Sequence, residues 1–218
     1  MTSTRSAAEL LARASSRERV TPADARSGAV FERIVVGPDG YFVKHLGFAS
    51  DWVMRATGDD VCRQYLIWQA GIMDRFPDCI DHAVVAMDLD RAGDEAVLTI
   101  VMRDIGGFLV PPGDAIVPAG QHAGFISHMA ALSSAFWAWD DHIGLTTMPQ
   151  RVRFFAPDTI AAELTAAQVP TAIAAAAAGW RALPGRSPLL ARLARLVQDP
   201  ARGDHRAAVG NAAHVPGR

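Results

Sequence analysis

Lysine is almost absent from this chain. Of its 21 basic residues Lys44 is the only lysine, and every other one is arginine. Cysteine is nearly as scarce. Cys62 and Cys79 stand alone, with neither the close spacing of a metal-ligand set nor that of a disulfide framework, which points to reduced thiols and a cytoplasmic setting. Long apolar runs are missing as well. Met1–Arg5 is not followed by a signal core, and the alanine run from Ala174 to Ala178 is cut by Gly179, so neither a secretory leader nor a membrane partner is expected. There is no excess of either charge: the net value of -2 gives no footing for nucleic acid or an anionic membrane. No Gly-x-Ser-x-Gly elbow and no Walker-type phosphate loop occurs, which leaves hydrolase and P-loop chemistry without support. The seven histidines form no ligand set; His122 and His128 are six apart and do not stack as an i, i+4 pair would.

What is present is a globular composition, 50% hydrophobic and 20% charged, long enough for one large domain or two small ones. Ser6 to Ala14 reads as a short helix, with Ser6 as N-cap and Glu9 three residues on. A small, turn-prone stretch from Pro22 to Ala29 leads into a strand, Val30–Val36. Gly37-Pro38-Asp39-Gly40 then turns the chain into a second strand, Tyr41-Phe42-Val43-Lys44-His45-Leu46, closing a hairpin. Asp59 to Asp74 reads as a helix with Val61, Tyr65, Trp68 and Ile72 on one face, stopped by Pro77. Two more strands follow, His82–Met87 and Ala96–Met102, with a turn at Asp90–Asp94. After the link at Gly106-Gly107 and Pro111-Pro112-Gly113 the pattern becomes helical. Gln121–Asp140 is expected to bury Ile126, Met129, Ser133, Phe136 and Trp137, and alanine-rich segments continue to about Gln198. Strands and helices do not alternate, which argues for α+β and against a doubly wound parallel sheet. The five tryptophans, Trp52, Trp68, Trp137, Trp139 and Trp180, are expected in the core.

Lys44 gives the organisation a chemical centre. A lysine is a compact, movable point charge suited to a phosphate oxygen, whereas arginine is a rigid fork. His45, its neighbour, falls on the other strand face. Asp140-Asp141-His142 reads as a charged helix end.

With the lysine strand, the helix after it and the strand ending in Met102-Arg103-Asp104-Ile105-Gly106 in place, the chain resembles the protein-kinase-like fold. More closely it is similar to the small-molecule kinases of the aminoglycoside phosphotransferase type. The resemblance covers residues 6 to 165. It implies a small antiparallel-sheet N-lobe with one helix over residues 1–105 and a partial helical C-lobe over 106–198; the tail over 199–218 is expected to be disordered on its composition. It also implies ATP and Mg2+ as cofactors, and a small-molecule hydroxyl as acceptor of the γ-phosphoryl group. In these kinases a lysine on the third strand contacts the ATP phosphates. The resemblance gives that role to Lys44, places Ser27 and Gly28 over the phosphates, and has Met102, Arg103 and Asp104 receive the base.

Two departures stand out. The residue that should pair with the lysine aligns with Gln64, which can accept a hydrogen bond and brings no counter-charge; Asp59 or Asp60 could substitute. The family's catalytic His-Gly-Asp-x4-Asn is not found, and Asp204 with Asn211 reads as an accidental likeness, seven positions apart instead of five. The tail from Asp199 to Arg218 has almost no large apolar side chain. The expectation is therefore a phosphotransferase-family protein cut short before its catalytic loop and with little turnover, or a non-catalytic nucleotide-binding or interaction module on the same scaffold.

Overall fold

The structure is a computed structural model that describes residues 6–22, 27–92, 96–108, 116–166, 169–183 and 187–192. Asp204, Asn211, the tail and the Pro111–Gly113 link lie outside these residues. In chain order the elements are α1 (Ala7–Ala12), β1 (Ser16–Val20), β2 (Val30–Val36), β3 (Asp39–Gly47), α2 (Trp52–Thr57), α3 (Arg63–Gln69), β4 (Val84–Asp90), β5 (Val97–Arg103), α4 (Ala119–Ala135), α5 (Met148–Arg153), α6 (Pro157–Glu163) and α7 (Thr171–Ala182). The class is α+β. The chain divides into two compact units, Met1–Asp51 with Asp60–Leu145 and Trp52–Asp59 with Thr146–Arg218.

The first unit is built on one five-stranded antiparallel sheet, ordered β1-β2-β3-β5-β4. Its central strand, β3, is hydrogen-bonded along its whole length, to β2 on one side and β5 on the other. The β2–β3 hairpin closes through Gly37 and Pro38 alone. Gly37 sits at φ +63°, where a glycine is needed, and the proline ring fixes the next φ near −65°, the pattern of a type II′ turn. Across β4–β5 the Asp90 carboxylate accepts from the Ala92 N–H at 2.8 Å, a side-chain turn that begins the link.

Alternation along β2 and β3 sends Ile34, Val36, Tyr41 and Val43 to one face, where Ala86, Val101 and the α1 residues Ala7 and Leu10 complete a core. α1 is only six residues long and is fixed from both sides. Ser6 and Glu9 form a reciprocal capping box, and Asp88 on β4 accepts from the Ser6 hydroxyl at 2.5 Å and the Ala8 N–H at 2.8 Å.

Three expectations need correction here, and one element was not foreseen. β1 was not legible: Ser16-Arg17-Glu18-Arg19-Val20 is an exposed, charged edge strand, with no apolar face to give it a period. The long helix expected from Asp59 to Asp74 is α3 followed by a separate 3-10 turn at Ile72–Arg75. Cys62 and Gly71, both with positive φ, interrupt it, and Val61 is exposed where burial was expected. α4 buries none of its residues among the described ones; Ile126 is 54% and Met129 64% exposed, because its apolar residues are spread round the helix instead of forming one stripe. Trp137, at 85% exposed, is no core residue: α4 ends at Ala135, so the side chain stands beyond the helix in the following turn.

The second unit is helical. The Trp52 ring stacks on Phe154 with centroids 4.9 Å apart, over a core of Ile160, Ile173 and Ala177. Arg55 on α2 grips Glu163 on α6 with both ends of its fork, Nε to Oε1 at 2.9 Å and Nη2 to Oε2 at 2.6 Å. The Trp180 indole donates to the Phe155 carbonyl at 2.6 Å. No described helix is long and apolar enough to cross a membrane.

Candidate functional site

Lys44 lies on β3, directly opposite Phe31 of β2 and Ile100 of β5. The alternation that buries Val43 under α1 sends Phe42, Lys44 and Leu46 to the other face of the sheet. There the Phe31 and Phe42 rings meet at 5.6 Å between centroids, so Lys44 rises from a floor of phenyl and aliphatic side chains. Burial is the main influence on its ammonium and pulls the pKa below the ordinary lysine value; the carboxylate of Asp51 pushes it part of the way back.

Asp51 was not picked out by sequence reasoning. After β3 the chain folds back at once: the Asp51 N–H donates to the Gly47 carbonyl at 2.8 Å, and the Ser50 hydroxyl to the same oxygen at 3.1 Å. This turn carries Asp51, only 1% exposed, into the field of Lys44. The signal that could have found it was a carboxylate seven positions after the single lysine, just past a glycine-ended strand.

The segment before β2 meets the same turn. Gly28 has φ +92°, and a Cβ on it would lie 2.3 Å from the Ser50 carbonyl oxygen and 3.8 Å from the Asp51 Cα. No L-residue with a side chain fits there without moving backbone. Ser27 stands beside it, half-buried. Gly28, Ser50 and Asp51 thus meet in one turn, and Asp51 is the carboxylate whose charge raises the Lys44 pKa against burial.

The remaining expected residues are placed differently. Met102 is opposite Phe42 and shares the Lys44 face. Arg103 points to the other face, where Nη2 donates to Asp81 Oδ1 at 2.7 Å and to the His82 carbonyl at 3.0 Å. Asp104, just past β5, accepts from Arg33 Nε at 2.9 Å and from the Gly106 N–H at 3.0 Å; that backbone donor first, and then Arg33, hold its carboxyl below the usual range against the opposing pull of burial. Gln64 is exposed on α3, Asp60 is exposed in the turn before it, and the Asp59 N–H closes α2 on the Met54 carbonyl. The carboxylate that acts on Lys44 is that of Asp51.

On the opposite face His45 sets Nδ1 3.0 Å from the Thr99 hydroxyl, while Nε2 is 3.7 Å from Glu32, itself paired with Arg17 at 2.6 Å. Asp141, expected at a helix end, instead staples a loop: its carboxylate accepts from the N–H groups of Ile143, Gly144 and Leu145. Among the described residues no group of three His, Cys, Asp or Glu could hold a metal ion.

Comparison with family models, with curated proteins and with solved structures finds no match to this chain.

Proposed function

We propose that the sheet unit binds ATP through its phosphates, in the manner of the small-molecule phosphotransferases that the sequence resembles, with phosphoryl transfer to a small-molecule hydroxyl as the implied reaction. One observation carries the reading: the chain's single lysine is a half-buried cation on the central strand, beside a buried carboxylate and a loop that glycine alone can form. Strand order lends support, since the lysine stands on the third of five antiparallel strands and three short helical segments, α2, α3 and the 3-10 turn, separate that strand from the fourth. In this reading Lys44 orients phosphate oxygens, Ser27 and Gly28 lie beside them, and the backbone from Met102 to Asp104 receives the base. Gln64 and the Arg103 side chain have no part in it. Among the described residues no group of three His, Cys, Asp or Glu could hold a metal ion, and no step is drawn through magnesium.

A second reading, binding without turnover, is favoured by the sequence: no His-Gly-Asp-x4-Asn stretch occurs in its 218 residues. Positioning and charge stabilisation supply nearly all the catalysis of phosphoryl transfer, and Lys44 alone would provide only part of the positioning.

Thermal unfolding with and without millimolar MgATP tests both. Binding to the native state raises the midpoint by mass action. Stabilisation that is lost in Lys44→Met supports the reading, and the absence of any ATP effect on the unaltered protein ends it. Release of ADP in the presence of a hydroxyl acceptor would rule out the non-catalytic version.

A further inference from the structure

We infer that His45 is an acid-operated link across the sheet. When the ring takes up a proton, its Nε2 closes onto Glu32, and one row of side chains then joins the edge strand β1 to β5. The row lies on the face opposite Lys44 and does not depend on what that residue binds.

All but one of its contacts are already made. On β1, Arg17 donates twice to a single Glu32 oxygen, Nε to Oε2 at 2.9 Å and Nη2 to Oε2 at 2.6 Å. The other oxygen, Oε1, lies 3.7 Å from His45 Nε2 on β3. At the far side of the ring Nδ1 is 3.0 Å from the Thr99 hydroxyl on β5. The Nε2 contact is too long for a hydrogen bond, and that nitrogen is buried with no partner. A polar atom shut away from water and left unpaired costs stability.

The proton count of the ring explains the gap. A neutral imidazole carries one N–H. If Thr99 donates to Nδ1, that proton sits on Nε2, aimed at Glu32 and short of it. If Nδ1 donates to Thr99, a lone pair on Nε2 faces the carboxylate. A second proton makes both nitrogens donors, Nδ1 to Thr99 Oγ1 and Nε2 to Glu32 Oε1. Charge-assisted N–H···O bonds settle at about 2.7–2.9 Å, so closure takes a shift of roughly 1 Å and leaves Oε2 with Arg17.

The surrounding groups set the pH at which this happens. Burial acts first and disfavours the charged ring, Glu32 favours it, and Arg17 opposes it with the smallest effect. The link is therefore open at neutral pH and closes below the ordinary histidine value of about 6.5. Val30, directly opposite His45 on β2, is uncharged. Arg19 stands opposite Glu32 on β1, and Asp88 stands opposite Thr99 on β4, where Ser6 and Ala8 donate to it. Asp90 accepts from the Ala92 N–H, and Arg103 is taken by Asp81. On α1, Glu9 turns back to the Ser6 N–H, and Arg13 just after it is exposed. Since β1 pairs with β2 alone, the closed row fastens this exposed edge to the centre of the sheet in acid.

Crystal structures near pH 8 and pH 5 measure the gap directly. His45 Nε2 and Glu32 Oε1 are expected to stay apart at pH 8 and to close to about 2.7–2.9 Å at pH 5, with Arg17 still on Oε2. NMR of 15N-histidine protein, with the His45 signals assigned by their loss in His45→Gln, shows when the ring is charged. Glu32→Gln is expected to move that midpoint to lower pH. A ring still neutral at pH 5, or a charged ring with the gap unclosed, overturns the inference. So does departure of Glu32 from Arg17 in acid, or an unchanged midpoint in folded Glu32→Gln. The crystal and ring-nitrogen measurements on the unaltered protein decide the matter even where a variant does not fold.

Discussion

Gly28 and Ser50, 22 positions apart, touch through backbone alone: the space a Gly28 β-carbon would need is taken by the Ser50 carbonyl oxygen, 2.3 Å away. The contact joins the approach to β2 with the exit from β3, at the end of the hairpin remote from its Gly37–Pro38 turn.

Gly28→Ala is therefore expected to destabilise the protein. The left-handed backbone alone costs about 1–3 kcal/mol for a residue with a side chain, and the displaced carbonyl adds to it. Urea unfolding should show a lower midpoint with an unchanged m-value. A midpoint equal to that of the unaltered protein would mean that the two segments part without cost.

Lys44→Met is expected to give a less stable protein that no longer responds to ATP. The substitution removes the cation and leaves the Asp51 carboxylate, only 1% exposed, without its charge, although methionine keeps the length and apolar stem. The fall in Tm should be about 2–6 °C. An unchanged Tm would show that other groups answer the Asp51 charge.

His45 should make stability sensitive to mild acid. Burial lowers its pKa, against the pull of Glu32 and with a smaller push from Arg17. The folded state thus resists a proton that the unfolded chain accepts near its ordinary pKa of about 6.5. This stability is fully present above pH 6.5 and is lost as pH falls through the folded value. The urea midpoint should decline between pH 8 and pH 5. His45→Gln should flatten that decline; an equally steep decline in the variant would assign it to other groups.

Glu163→Ala should cost about 2 kcal/mol, below the usual figure for breaking a buried pair, because the Arg55 side chain stays 27% exposed and keeps part of its hydration. The double variant Arg55→Met with Glu163→Ala is expected to recover part of the loss in a mutant cycle. Strict additivity would deny the coupling.

The sequence carried the sheet because its central strands are rich in β-branched and aromatic residues. Val30, Phe31, Ile34, Val35 and Val36 fall in one and Tyr41, Phe42 and Val43 in the next, and Gly37-Pro38 marks the reversal between them. Ser6 and Glu9 announced α1 correctly as a capping box. β1 offered no such pattern, since an edge strand made of Arg17, Glu18 and Arg19 is indistinguishable from a charged loop until β2 pairs with it. The face expected on α4 failed for the opposite reason. Apolar residues were plentiful enough for a stripe to be drawn through Ile126 and Met129, but composition does not say which side is covered. At the candidate site Lys44 was legible from residue type alone. Asp51 was not, because its partnership depends on a turn whose closing bonds run from backbone and from Ser50.

The division of the chain has a consequence for synthesis. Residues Trp52–Asp59 belong to the helical unit yet emerge from the ribosome inside the sheet unit, long before Thr146 begins the rest of their own core. Trp52, buried in the finished protein against Ile160, Ile173 and Ala177, must wait for roughly ninety further residues, about 5–20 s at ordinary rates of translation. During that interval a tryptophan-bearing segment is uncovered on every nascent chain. No single cut separates the two units either. A fragment ending at Leu145 keeps the segment without its partners, and one starting at Thr146 lacks the stacking partner of Phe154.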